Sequence, residues 1–311
     1  MESASDITEM NTSAETTLRG AAAARAGRWV DFYELTKPRM NFLVLVTTLV
    51  GFYMAAAHSA ELSWLLLLPT LIGTALTAAG ASVLNQYVER DLDALMPRTR
   101  NRPIPARRIE PGEALLTGVA SGVAGVLTLV LFVNLLTAAL GAITLLLYVL
   151  VYTPLKRVTT LNTVIGAIPG AIPPLMGFTA VDSAFSPGAL AVFAILFFWQ
   201  MPHFLAIAIL YRRDYALGGF KMLPVVDEAG EITARQIVLY AIALIPVSLL
   251  PVSAGIAGAA YFAVAMMLGL AFLSFGVSCA ATRSRIDARK LFFASIIYLP
   301  ALLGVMMLDR V

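Results

Sequence analysis

Residues 64–88 read WLLLLPTLIGTALTAAGASVLNQYV, and residues 89–108 continue as ERDLDALMPRTRNRPIPARR. The first stretch is long and apolar enough to cross a membrane as a helix, since a crossing takes about 20 predominantly apolar residues. The second stretch holds six arginines and three carboxylates. An apolar span that runs directly into such a charged loop predicts a helical membrane protein.

Further apolar stretches of similar length follow along the chain. The whole sequence is 59% hydrophobic and only 13% charged, a balance far from that of a water-soluble domain. We predict an all-α membrane domain over residues 31–311, preceded by a disordered polar tail at residues 1–30. The nine predicted transmembrane helices lie near residues 38–57, 64–88, 113–133, 136–153, 161–180, 188–210, 236–254, 257–280 and 291–308.

The basic residues predict the orientation of the chain in the membrane. Of the 22 Lys and Arg residues, all except Arg310 lie in the N-terminal segment or in alternate gaps between the predicted spans. Cytoplasmic loops retain Lys and Arg, so the N-terminus is expected in the cytoplasm and the C-terminus on the opposite side. With no cleavable signal before the first span, a bacterial inner membrane is the simplest location. The net charge of +3 fits attraction to lipid headgroups, and nucleic acid is not an expected partner.

Oxygen-bearing side chains are regularly spaced where the second span enters its loop. Asn85, Glu89 and Asp93 lie four residues apart, so a continuous helix would stack them on one face with steps of about 6 Å. Asp91 flanks this row. Clustered carboxylates at a membrane boundary need a compensating charge, and Mg²⁺ prefers oxygen ligands that it commonly shares with substrate phosphates.

Arginines in the same loop complement those acids. Arg98 and Arg102 carry guanidinium groups, which bind phosphate oxygens bidentately. Acids and arginines together therefore predict a site for Mg²⁺ and a diphosphate substrate. The alternative interpretation is a solvated loop with internal salt bridges, the usual explanation of such charge runs.

The stretch from Asn85 to Pro103 resembles the first aspartate-rich motif of the intramembrane, UbiA-type prenyltransferases. That motif follows the pattern Asn-x-x-x-Asp-x-x-x-Asp, and here Glu89 takes the place of the middle Asp. Four further segments resemble the branch of this family that acts on haem, and the resemblance covers nearly the whole chain after residue 30. These segments are residues 35–39 (LTKPR), 152–157 (YTPLKR), 199–204 (WQMPHF) and 222–226 (MLPVV).

The resemblance implies a helical bundle whose active site opens toward the cytoplasmic side and laterally toward lipid. It also implies Mg²⁺-dependent transfer of a farnesyl group from farnesyl diphosphate to a vinyl group of protohaem IX, with haem as substrate rather than cofactor. Membrane lipid is an implied partner, as are haem A synthase and terminal oxidase assembly factors. Two other interpretations stay open: a prenyltransferase of an aromatic quinone precursor such as 4-hydroxybenzoate, and a transporter, which should bury ionisable groups near mid-membrane.

The residue roles follow from this resemblance together with the spacing. The candidate catalytic residues are Asn85, Glu89, Asp91, Asp93, Asp214 and Lys221. The candidate Mg²⁺ ligands among them are Asn85, Glu89, Asp93 and Asp214. The candidate substrate-binding residues are Arg98, Arg102, Lys156, Arg157, Asn162, His203 and Tyr211.

Asp214 and His203 differ from the other candidates in their sequence surroundings. Many relatives carry paired aspartates four apart in the second motif, but the residue four after Asp214 is Gly218, which does not support a symmetric second metal site. His203 lies in an apolar span about two turns before Arg212. It is a candidate axial ligand or steering contact for haem iron, and the alternative is a hydrogen-bonded interior histidine.

Overall fold

In a computed structural model, which describes residues 27–56 and 64–311, the chain forms a bundle of long helices. Nine helices in these residues are long and apolar enough to cross a membrane, as predicted. The chain is therefore a multi-pass membrane protein. The long helices are α2 (Pro38–Ala56), α3 (Trp64–Asp93), α4 (Pro111–Phe132), α5 (Leu135–Leu146), α7 (Asn162–Asp182), α8 (Pro187–Leu210), α11 (Glu231–Ser253), α12 (Ala259–Thr282) and α13 (Arg285–Leu308).

Shorter elements complete the described part of the chain. Helix α5 passes through a π-helical turn at Leu147–Tyr152 into α6 (Thr153–Leu155), and these three elements together make one crossing. Two short helices, α9 (Arg212–Leu217) and α10 (Leu223–Val226), lie in the gap between α8 and α11. Helix α1 covers residues 27–35.

Three helices extend five or more residues beyond their predicted bounds, all at one end of the bundle. Helix α3 continues to Asp93, whereas the hydrophobic pattern of the sequence ends near residue 88. Helices α11 and α13 begin at Glu231 and Arg285, earlier than predicted. Hydropathy marks only the hydrocarbon crossing, whereas a helix can continue into the hydrated headgroup region where charged side chains are solvated. We call this the basic end, formed by residues 94–110, 156–161, 211–230 and 283–284.

Helix α1 is attached to the basic end by ion pairs. The Arg108 guanidinium lies 2.7 Å from Asp31 and 3.0 Å from Glu34. The predicted tail boundary at residue 30 falls inside this helix, because residues 27–35 are continuously helical. Residues 1–26 lie outside the described residues, and the disorder predicted for them stays a prediction.

Helix α7 lies at the centre of the bundle and packs against α2, α5 and α8. Its contact with α2 depends on glycine in both helices. A Cβ at Gly51 would lie 2.0 Å from the Pro174 carbonyl oxygen, and one at Gly177 would lie 2.1 Å from the Thr48 carbonyl oxygen. The backbones approach so closely because neither glycine carries a side chain, the device by which membrane helices commonly pack.

Substituting Gly177 with alanine is expected to destabilise the protein by about 1–3 kcal/mol, because the added methyl group would overlap the α2 backbone. The matched control is Gly304→Ala in α13, where no atom lies within 4 Å of the new Cβ. That change should be neutral or slightly stabilising. Thermal unfolding of the two purified variants in detergent measures the difference. Equal Tm values would contradict the proposed packing of α2 on α7.

Candidate active site

The predicted row of oxygen-bearing side chains lies on one buried face of α3. The helix continues through Asp93, so Asn85, Glu89 and Asp93 stack one turn apart as their spacing predicts. Their exposed fractions are only 1%, 5% and 1%. Buried carboxylates require charged partners, because desolvation without compensation is costly.

A cation contacts each of these three side chains. The Lys37 ammonium donates a hydrogen bond to Asn85 Oδ1 at 2.8 Å. Two ion pairs complete the set, from Lys156 to Glu89 Oε1 at 2.8 Å and from Arg102 to Asp93 Oδ2 at 2.7 Å. The cations come from the segment before α2, the residues after α6 and the loop after α3. We call these six side chains the charged cluster: Lys37, Asn85, Glu89, Asp93, Arg102 and Lys156.

The π-helical turn of the fourth crossing positions one side of this cluster. Asn85 Nδ2 donates to Thr153 Oγ1 at 3.1 Å, and the Thr153 hydroxyl donates to the Tyr148 carbonyl at 2.7 Å. Pro154 follows directly and has no N–H to donate within the helix. Single π turns inside helices occur frequently at functional sites. Here the turn brings both Thr153 and Lys156 against α3.

The two lysines of the cluster have opposite pKa shifts. Burial of the ammonium group, together with the positive charges of Arg102 and Lys156, lowers the pKa of Lys37 to about 7. Burial also acts to lower the pKa of Lys156, but Tyr152 and the Glu89 carboxylate favour the charged form and raise that pKa above its ordinary value. Three basic side chains thus face two carboxylates. The excess of positive charge favours an additional anionic ligand.

The segment after α8 is joined to the cluster through its backbone. The Lys221 N–H donates to the Lys156 carbonyl at 2.7 Å. Asn162 Nδ2 donates to the Lys221 carbonyl at 3.0 Å and to the Thr159 carbonyl at 2.6 Å. The amide donors of Asn162 are thereby used to hold this segment beside Lys156.

Arg98 also connects two segments of the basic end. Its guanidinium carbon lies 5.0 Å from the centre of the Tyr211 ring and 5.7 Å from that of Tyr215. Both distances are typical of cation–π contacts. The loop after α3 therefore packs on the end of α8 and on α9. Predicted substrate-binding residues Arg98 and Tyr211 lie together, each with an exposed side chain.

Other predicted residues lie apart from the charged cluster. The Asp91 side chain is 84% exposed, 3.8 Å from Arg90 and off the buried face of α3. Arg157 and Lys221 are exposed, and Asp214 is half-buried in α9. In residues 27–56 and 64–311, no ion pair or side-chain hydrogen bond joins Arg157, Lys221 or Asp214 to the charged cluster.

The donor set of the cluster fits Mg²⁺. Asn85, Glu89 and Asp93 offer only oxygen as ligand atoms on this face, and Mg²⁺ commonly takes one or two carboxylates and completes its coordination with water and substrate phosphate. Among the described residues, no group of three or more His, Cys, Asp and Glu forms a metal site. With two carboxylates and one amide oxygen, the cluster would leave coordination positions of the ion to water and phosphate.

This combination of fold and charged cluster agrees with a family model. The model of the UbiA prenyltransferase family matches residues 44–297. The chain belongs to the UbiA prenyltransferase family. The match includes α3 with its row of donors, the π-helical turn and His203.

Curated relatives resemble the prenyltransferase over nearly its whole length. The protoheme IX farnesyltransferase of Solibacter usitatus is 47% identical over 287 residues, which cover 90% of this chain and 98% of the relative. The protoheme IX farnesyltransferase of Myxococcus xanthus is 46% identical over 282 residues, covering 90% and 95%.

Solved structures share the fold of the prenyltransferase at low sequence identity. A digeranylgeranylglyceryl phosphate synthase superposes with a TM-score of 0.76 at 15% identity, covering 91% of this chain and 98% of that one. A UbiA homologue from Archaeoglobus fulgidus bound to GPP and Mg²⁺ gives a TM-score of 0.65 at 16% identity, covering 89% and 99%. These structures establish the helical architecture.

His203 of the prenyltransferase lies among aromatic rings between α8 and α13. Its ring stacks with Trp199 and Phe292, with centroid distances of 4.9 and 5.2 Å. Its Nδ1 lies 2.7 Å from Ser295 Oγ. The imidazole is half-buried and about 10 Å along α8 from Leu210, where the helix ends at the basic end.

Lys37 in the charged cluster, and Thr153 hydrogen-bonded to Asn85, are not among the site residues predicted from the sequence. Lys37 lies 48 positions from Asn85, so no local spacing connects them. Its backbone has a positive φ of 50°, uncommon outside glycine. The sequence signals were only indirect: both residues lie in short segments that resemble the family, LTKPR at residues 35–39 and YTPLKR at residues 152–157.

Proposed function

We propose that this prenyltransferase transfers a farnesyl group from farnesyl diphosphate to a vinyl group of protohaem IX, giving hydroxyethylfarnesyl haem (haem O). The charged cluster carries this proposal. Two carboxylates on the buried face of α3 suit a divalent ion, and the three cations that contact this face suit a diphosphate. The names of the curated relatives support haem as the acceptor.

The basic side chains of the cluster are proposed to bind the diphosphate. Lys37, Arg102 and Lys156 donate to carboxylate or amide oxygens in the structure, and diphosphate oxygens are acceptors of the same kind. Asn85, Glu89 and Asp93 would hold Mg²⁺. When bound, this ion would neutralise the charge that develops on the departing diphosphate.

The reaction requires no protein nucleophile. The allylic C–O bond breaks with its electron pair leaving on the diphosphate, and the vinyl π-bond supplies the electrons for the new C–C bond. Water then adds to the resulting cation and loses a proton, which gives the hydroxyl group of the product. The apolar bundle excludes water from the allylic centre until the acceptor has reacted.

The remaining predicted residues are proposed to act around the cluster. Exposed Arg98, Arg157 and Lys221 would attract the diphosphate to the basic end by long-range electrostatics. Asn162 would act by holding Lys221 beside Lys156. The roles predicted for Asp91, Asp214 and Tyr211 stay predictions.

His203 is proposed to contact the haem as an axial ligand or steering residue. The rings of Trp199 and Phe292 beside it would suit a flat aromatic macrocycle. A histidine nitrogen is also a common haem ligand.

The basic end is proposed to face the cytoplasm of a bacterial inner membrane. Its loops hold 11 of the 22 lysines and arginines, whereas Arg310 lies at the opposite end. The product would serve terminal oxidase biogenesis, with haem A synthase or oxidase assembly factors as proposed partners.

The test is a product analysis by mass spectrometry. Purified protein incubated with protohaem, farnesyl diphosphate and Mg²⁺ is expected to yield the hydroxyethylfarnesyl adduct, and a chelator should abolish it. A parallel incubation replaces haem with 4-hydroxybenzoate. Transfer to 4-hydroxybenzoate without any haem adduct would overturn the haem assignment and support quinone biosynthesis instead.

A further inference from the structure

Ser295 in α13 contacts three groups around His203. Its hydroxyl donates to the Phe292 carbonyl at 2.5 Å, and its Oγ lies 2.7 Å from His203 Nδ1. Its own carbonyl accepts a hydrogen bond from the Trp199 indole at 2.9 Å. The residue is fully buried. Ser295 thus orders both the imidazole and a ring that stacks on it.

These contacts determine which imidazole nitrogen carries the proton. A serine hydroxyl has one hydrogen, and a carbonyl oxygen can only accept. The short contact with the Phe292 carbonyl therefore uses the Ser295 hydrogen, and the Ser295 oxygen must accept from His203. This network assigns the hydrogen to Nδ1 of His203 and leaves Nε2 of the neutral ring with its lone pair.

We propose that Ser295 is a positioning residue that holds His203 as the Nδ1–H tautomer, so that Nε2 is presented as the ligand atom for haem iron. This inference rests on the proposed function. A neutral imidazole that binds iron through one nitrogen commonly donates its other N–H to a fixed acceptor, and that partner sets the ring orientation. Stacking on Trp199 and Phe292 restrains the same ring.

The first test measures the tautomer without any haem. Solid-state ¹⁵N NMR of histidine-labelled protein resolves protonated from unprotonated ring nitrogens, and His58→Gln removes the signals of the other histidine. We expect protonated Nδ1 and unprotonated Nε2 at His203. Ser295→Ala should shift the ring toward the Nε2–H tautomer, and Ser295→Thr, which keeps the hydroxyl, should restore Nδ1–H. A wild-type ring protonated at Nε2 would overturn the proposal.

The second test measures haem ligation by absorption and electron paramagnetic resonance spectra during a ferric haem titration. Ser295→Ala is expected to weaken haem binding by roughly 10–100-fold and to change the spin state of the iron. His203→Ala should lose the histidine-ligated spectrum, and added imidazole should restore it.

Ser248→Ala controls for the loss of a buried hydroxyl. Ser248 is equally buried and pairs with Tyr298 on α13 at 2.7 Å, away from His203, so its removal should leave the haem spectrum unchanged. If both Ser295→Ala and His203→Ala keep the wild-type spectra, the ligand assignment is overturned. Haem binding would then still hold, and so would the proposed function. No haem binding by the wild-type protein would overturn the proposed function itself, and the NMR result would then stand as a purely structural property.

Discussion

Asp93→Asn is expected to reduce kcat/KM for prenyl transfer by about 10²–10³-fold, an effect typical of removing one preorganised electrostatic group from an active site. Asparagine keeps the shape of the side chain but removes the charge that pairs with Arg102 at 2.7 Å. The variant also loses an anionic ligand for Mg²⁺ on the buried face of α3. Initial rates of adduct formation at several Mg²⁺ concentrations measure the effect.

The control for Asp93→Asn is Glu228→Gln, which neutralises an exposed carboxylate at the basic end. That variant should retain activity within about twofold, as is usual for surface substitutions. Both variants should appear in the membrane fraction at wild-type levels, because neither change lies within the apolar part of a span. Full activity of Asp93→Asn at saturating Mg²⁺ would refute the role of this carboxylate.

Lys156→Met is expected to damage stability and activity together. The Lys156 and Glu89 side chains are only 11% and 7% exposed, so the substitution leaves a buried carboxylate without its partner. Removing one member of a buried ion pair typically costs about 3–5 kcal/mol. The free energy of unfolding should fall by that order, and transfer should fall at least about 10²-fold because a proposed diphosphate ligand is lost.

A double variant separates the two effects of Lys156→Met. Lys156→Met combined with Glu89→Gln removes both charges, and such replacements are often neutral for stability. We therefore expect Tm to recover toward the wild-type value while transfer stays lost. Recovered activity in the double variant would refute both the diphosphate contact proposed for Lys156 and the metal role proposed for Glu89. An unchanged Tm in the single variant would contradict the structural importance of the pair.

Much of the architecture could be predicted from hydropathy alone, because each crossing must present an apolar surface to lipid. The bounds of the helices at the basic end could not. Helix α3 passes from hydrocarbon to a polar environment between residues 88 and Asp93 without any break in its backbone hydrogen bonding. Hydropathy changes at that point while secondary structure does not, so the prediction ended the helix early.

Some residues of the candidate active site could likewise be predicted from the sequence, and others could not. The row of Asn85, Glu89 and Asp93 follows from helical periodicity, so local spacing was sufficient to place it on one face. Lys37 reaches this face only through tertiary packing across 48 residues, and nothing local in the sequence specifies that contact. The guanidinium of Arg98 packs on two tyrosine rings, a contact that spacing in the sequence does not specify, and the diphosphate role predicted for this residue stays a prediction.

The π-helical turn at Leu147–Tyr152 makes the position of Lys156 depend on how the helix winds before it. A π turn holds one residue more than the α-helical turn it replaces. If the same residues wound as a regular α-helix, with none deleted, everything beyond the turn would be rotated by about 100°. Lys156 would then leave Glu89, although every residue of the charged cluster would still be present. Substitutions within Leu147–Tyr152 that favour regular α-helical winding could therefore keep the complete motif and lose the catalytic arrangement.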